Sequence, residues 1–121
     1  ERPPISSIAL TTDTSVITSI GNDYGFSEVF ARQVSGLINK DDVLVVLSTS
    51  GNSPNILEAV KAAKAKSIKT IGLLGKSGGK VKNLLDQYLI IESNGTDIIQ
   101  ELHITIGHIM IDLIENQLSS R

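Results

Sequence analysis

Hydrophobic and polar positions follow two different periods along the chain, and the switches between them mark the elements. Residues 42–48 (DVLVVLS) form a run of β-branched residues and leucine with no polar alternation. Such a run predicts a strand covered on both faces, as in a parallel sheet. Residues 68–74 (IKTIGLL) and 88–92 (YLIIE) predict two further strands, and 5–11 (ISSIALT) predicts one ahead of them. Between these runs helical spacing takes over. Phe26, Val29, Phe30, Val34, Leu37 and Ile38 predict a helix over 26–38. Over 54–66, Ile56, Ala59, Val60 and Ala63 face inward and lysines outward; Ser53 can cap this helix, and Pro54 suits its first position. Gly75, Gly78 and Gly79 mark a flexible loop over 75–80, which leads into a short helix near 81–85. Thr96 or Asp97 can cap a last helix running to about Leu118. Its Ile99, Leu102, Ile106, Ile109, Met110, Leu113 and Ile114 make an apolar face too broad for a lone surface helix, which predicts burial against the sheet or another subunit.

Strand and helix therefore alternate from end to end. That order predicts an α/β fold, an open parallel sheet with helices on both faces, with function gathered at the C-terminal ends of the strands. The 121 residues fit a single domain spanning 1–121, with no internal repeat, linker or low-complexity tract. Composition narrows the partners. The formal net charge of −2 gives no broad basic surface for nucleic acid or an anionic membrane, so any anion site must be local. The chain has no cysteine, which excludes disulfides and thiolate metal sites and fits a cytoplasmic location. No apolar run reaches the ~18 residues that a membrane span needs.

One segment stands out chemically. Ser48-Thr49-Ser50-Gly51-Asn52-Ser53 lies between a strand and a capped helix, and four of its six residues carry hydroxyls. Gly51 permits a tight turn or a close approach to a ligand. The following helix offers free N–H groups and the positive end of its dipole. Backbone amides and hydroxyl donors together would cradle a phosphate monoester, with no lysine inside the segment. The same residues also suit an ordinary polar turn with an N-cap. A second polar group follows the first predicted strand: Thr11-Thr12-Asp13, then Gly21-Asn22-Asp23-Tyr24 within reach of the same sheet edge. Asn22 and Asp23 could bind sugar hydroxyls, or simply form a helix-entry loop. On the last helix Gln100 and His108 stand eight residues apart, about 12 Å of rise and roughly 80° of rotation. They meet only at a point reached from both. His103 lies on another azimuth, and a lone histidine on an apolar helix also serves as a hydrogen-bonded core residue.

These segments resemble a known family. The strand-turn-helix LSTSGNS is the signature of sugar isomerase (SIS) domains. ALTTDTS, GNDYGF with FARQV, GKSGGK and IQELHITIGHIM narrow the resemblance to the phosphoheptose isomerases, across nearly the whole chain. STSGNS marks the superfamily; GNDYGF and QELHITIGH are far more specific. The resemblance implies a flavodoxin-like SIS fold and the interconversion of sedoheptulose 7-phosphate and D-glycero-D-manno-heptose 7-phosphate through an enediol, in heptose and lipopolysaccharide precursor synthesis. By matching motif, Ser48, Thr49, Ser50 and Ser53 would hold the phosphate, and Asn22 and Asp23 the sugar. Gln100 and His108 would face the reacting end, where family members can carry zinc, with His108 as metal ligand or acid/base. Histidine titrates near neutral pH, which suits such proton traffic. His103 matches a family position without an assigned role. The family's further zinc ligands, a histidine and a glutamate, and its proposed base, that same glutamate, lie on an upstream segment that these residues do not include. The ligand set within the chain is thus incomplete, and the chain alone is expected to be inactive. The resemblance also implies a homotetramer. Rival expectations are a non-catalytic SIS protein that binds the replication initiator, and a domain that senses sugar phosphates without turnover. Ser50 and His108, both present, favour the enzyme.

Overall fold

The computed structural model describes residues 4–119. Three strands form one parallel sheet in the order β1-β2-β3: β1 Val43–Ser48, β2 Lys69–Gly75 and β3 Gln87–Ile91. β1 registers on β2 with Leu44 opposite Thr70 and Ser48 opposite Leu74; β2 registers on β3 with Leu74 opposite Ile90. Four α-helices surround it: α1 Thr14–Tyr24, α2 Ala31–Leu37, α3 Pro54–Ala65 and α4 Thr96–Ser119. α2 and α3 pack together on one face, and α4 crosses the other face at the end of β2. The expected α/β architecture, a parallel open sheet with helices on both faces, is what the chain adopts. No helix among the described residues is long and apolar enough to cross a membrane.

The core lies between α3 and the sheet. Leu44, Val46 and Leu74 project onto Ala59, Val60 and Ala63, with Val34, Ile68 and Val81 closing the edges. Each large side chain fully buried there contributes roughly 1.5–3 kcal/mol. The C-terminal carbonyls of α2 are satisfied from a distance: Lys66 Nζ donates to Ser35 O (2.7 Å) and Ile38 O (2.8 Å).

Five readings change. Residues 5–11 form no strand; Ile5 and Ile8 are exposed, Leu10 alone of the segment's large apolar residues packs toward the core, and no neighbouring strand pairs with them. Residues 14–24, to which the sequence pattern assigns no element, form α1, because Asp13 Oδ1 accepts the Val16 N–H (3.0 Å) and caps the helix. The helix over 26–38 divides into a 3-10 turn, Phe26–Glu28, and α2, although Val29 and Phe30 keep helical dihedrals between them. β1 is covered on one face only. Val43, Val45 and Leu47 remain 51%, 43% and 51% exposed, because β1 is an edge strand and α4 packs chiefly against β2. The short helix expected near 81–85 is a single 3-10 turn, Val81–Asn83.

Candidate functional site

β1 delivers Ser48 at its last residue, and α3 begins at Pro54, so the intervening turn sits at the C-terminal edge of the sheet. There parallel sheets bind ligands. The turn is internally bonded. Gly51 N–H donates to Ser48 Oγ (3.0 Å), and Asn52 N–H donates to Ser50 Oγ (3.1 Å). Ser48 Oγ and Ser53 Oγ lie 3.3 Å apart. Those two amides are therefore engaged by hydroxyls, not free for an anion as the sequence suggested. The consequence is directional. A hydroxyl oxygen that accepts an N–H keeps its own proton to donate, so Ser48 and Ser50 are primed as donors. Ser53 stands at the N-cap of α3, but its side chain makes no capping bond; its carbonyl accepts from Ile56 and Leu57 N–H instead. Its hydroxyl is thereby left to the group around Ser48.

Gly51 has φ +63°, and a Cβ there would stand 2.0 Å from Gly78 O. Its close approach is to the 75–80 loop. The structure thus brings Ser48, Thr49, Ser50 and Ser53 together in one turn, as expected, and adds a wall that the sequence reading treated only as a flexible loop. The spaced glycines of GKSGGK were the available signal.

α4 enters beside this turn. A Cβ on Gly75 would meet both Thr49 O (2.5 Å) and Ile99 Cδ1 (2.6 Å), so the start of α4 and the turn flank the same glycine. The N-cap position of α4 is Gly95, whose carbonyl accepts Ile99 N–H (3.1 Å), with Thr96 and Asp97 inside the first turn. Gln100 follows Ile99 directly, and both Gln100 and His108 are exposed. No hydrogen bond among the described residues joins them to each other or to the turn. His103 is 3% exposed, and its Nε2 lies 3.1 Å from Leu74 O.

Asn22 and Asp23 occupy the last turn of α1, not a strand-end loop, and Asn22 Nδ2 donates to Asp23 Oδ1 (2.8 Å). With Thr14, Ser15, Thr18 and Ser19 they line an open cavity of about 510 Å³. None of the residues lining it belongs to the 48–53 turn. As for a metal, no three His, Cys, Asp or Glu among the described residues converge to hold one. Gln100 and His108 offer two donors at most, short of the three or four protein ligands of a zinc site. The residues present do not by themselves fit the ion.

A profile of the SIS domain matches residues 1–75. The chain belongs to the SIS domain family. It is similar to the phosphoheptose isomerases of Nitratiruptor sp. (56% identical over 95% of this chain and 62% of the relative) and Helicobacter pylori strain P12 (52%, over 100% and 63%). Among solved structures it is similar to phosphoheptose isomerases from Francisella tularensis (TM-score 0.92, 47% identical, 95% of this chain and 62% of that one) and Neisseria gonorrhoeae (TM-score 0.87, 51%, 88% and 61%). The chain spans a little over 60% of the length of these relatives.

Proposed function

We propose that the protein to which these residues belong is a phosphoheptose isomerase, interconverting sedoheptulose 7-phosphate and D-glycero-D-manno-heptose 7-phosphate for heptose and lipopolysaccharide precursor synthesis. The observation that carries this reading is the 48–53 turn, where the Ser48 and Ser50 hydroxyls each accept a backbone N–H and so keep their own protons to donate. A phosphate dianion accepts such charge-assisted bonds strongly. The family relationship supplies the chemistry: similar proteins at about half identity bear that name.

In this reading Ser48, Thr49, Ser50 and Ser53 bind the phosphate and anchor the far end of the sugar. Asn22 and Asp23 bind sugar hydroxyls. Gln100 and His108, exposed on the helix that enters beside the turn, face the reacting end, where His108 gives or takes a proton during enediol formation. The proton leaves the carbon next to the carbonyl and returns to the former carbonyl carbon, so the step is redox-neutral overall. Zinc would take Gln100 and His108 together with donors beyond the described residues. The absence of cysteine supports a cytoplasmic site, and the apolar flanks of α4 support a homotetramer.

The test is sedoheptulose 7-phosphate added to the complete protein, with zinc and with a chelator, and formation of the aldose followed. Isomerisation supports the reading. No turnover under either condition, with capture of the replication initiator instead, would assign the protein to the binding branch of the family.

A further inference from the structure

The 75–80 loop lies against the 48–53 turn so closely that neither can carry a side chain at the crossing. Gly79, at φ +55°, would place a Cβ 2.4 Å from Gly51 C and 2.5 Å from Ser50 O. Close packing of two loops does not by itself fix their register; hydrogen bonds do. Two are present. Val81 N–H donates to Gly51 O (3.0 Å), and Lys80 N–H donates to Asn52 Oδ1 (3.0 Å). Asn52 is exposed, yet its polar groups are engaged at both ends. Its Nδ2 donates to Ser50 O (3.1 Å) and its backbone N–H to Ser50 Oγ (3.1 Å). One asparagine therefore grips the backbone and the hydroxyl of Ser50 on one side and the 75–80 loop on the other.

We propose that Asn52 is a positioning residue for substrate binding: it ties the 75–80 loop to the 48–53 turn and thereby sets the direction in which Ser50 donates. The proposal rests on the reading of that turn as the phosphate site. Asn52 itself contacts no substrate; it acts through Ser50. A hydroxyl on an untied turn samples several orientations, and ordering it on binding costs affinity. A hydroxyl held in place avoids that cost.

The experiment uses the complete protein and sedoheptulose 7-phosphate. Asn52→Ala keeps the backbone N–H to Ser50 but removes both side-chain ties. Its KM is expected to rise about five-fold, the loss of one net hydrogen bond, with kcat within about two-fold. Hydrogen exchange at the Lys80 amide is expected to quicken by about tenfold. Asn52→Asp retains the acceptor for Lys80, so exchange there should return toward the unaltered rate. Should Asn52→Ala fail to fold, Lys80→Pro removes the same bond from the other side, at a φ of −72° that proline adopts, and should raise KM alike. A folded variant of either kind with unchanged KM overturns the proposal, even if its melting temperature falls. Ser50→Ala in the same assay separates the two levels. If Ser50→Ala raises KM and the Asn52 variant does not, the positioning role alone fails. If Ser50→Ala too leaves KM unchanged, or the unaltered protein shows no turnover, the phosphate-turn reading falls.

Discussion

His103 and His108 stand five residues apart on α4, and only the first is held by the fold. His103 Nε2 pairs with Leu74 O beneath the helix, and the ring is almost wholly buried. His103→Ala would remove that buried bond and open a cavity, a loss of roughly 2–4 kcal/mol read by denaturant unfolding. His108 is exposed. His108→Ala should change stability by less than about 0.5 kcal/mol, while turnover by the complete protein falls about 10²–10⁴-fold. Equal stability losses in the two variants would contradict the division. In the turn, Ser50→Ala should weaken substrate binding by about 1 kcal/mol or more through loss of one charge-assisted bond, measured as KM; an unchanged KM would mean the phosphate rests elsewhere. The residue types at the turn were legible because hydroxyls crowd six positions of sequence. The partners of those hydroxyls were not, since Gly51 and Asn52 N–H could equally have faced an anion. Asn52 was hidden for the same reason: its main partner, Lys80, is 28 residues away.

Among elements, strands and helices with a dense apolar signal were legible, and those decided by a single cap or a missing neighbour were not. α3 and β2 stand within a residue of their expected bounds, since a proline start and a continuous apolar run leave few alternatives. α1 is rich in Thr, Val and Ile, which favour strands, and one carboxylate at Asp13 overrides that preference locally. β2 and β3 are joined by a bond network of similar economy. Asp86 Oδ2 accepts from Thr70 N–H (2.8 Å) and Thr70 Oγ1–H (2.9 Å), while Asp86 N–H donates to Thr70 Oγ1 (3.0 Å). Lys64 Nζ lies 3.6 Å from Asp86 Oδ1. The backbone bond from Thr70, then its hydroxyl, hold the Asp86 carboxyl below the usual carboxylate range against an opposing desolvation, with Lys64 and Lys69 adding to the lowering. A depressed folded-state pKa stabilises the fold at pH above the unfolded value of about 4, and that contribution is lost as pH falls through the folded value. Melting temperature measured from pH 7 downward should therefore drop below about pH 4 in the unaltered protein. Asp86→Asn should lower it at neutral pH and flatten that drop; an identical pH profile in both would show that Asp86 is not responsible.

The whole molecule carries more apolar surface than its own elements cover. On β1, Val43, Val45 and Leu47 line one open face, and Leu89 continues it on β3. On α4, Ile99 and His103 are buried, while two flanks beside them stay exposed: Ile98, Leu102, Ile109 and Leu113 on one, Ile104 and Ile111 on the other. At 100° per residue, Gln100 and His108 fall on the second flank, on either side of Ile104. The proposed reacting end therefore shares its surface with side chains that water does not favour. Contiguous apolar area of this kind, together with an unpaired strand edge, drives association. It also means that a substrate held by the turn would meet water, not protein, over much of its length. Water at an enediol-forming centre weakens every electrostatic contact there. Residues 1–121 produced alone are expected to bind an apolar dye, to self-associate in sedimentation, and to show no isomerisation of sedoheptulose 7-phosphate. The complete protein should bind little dye and turn over. Glutamate at both Ile109 and Leu113 separates the two uses of α4: in the complete protein it should lower the sedimenting mass while leaving His103 and its bond to Leu74 in place. Turnover by residues 1–121 at the rate of the complete protein would show that the turn and α4 suffice, and that the open faces have no part in catalysis.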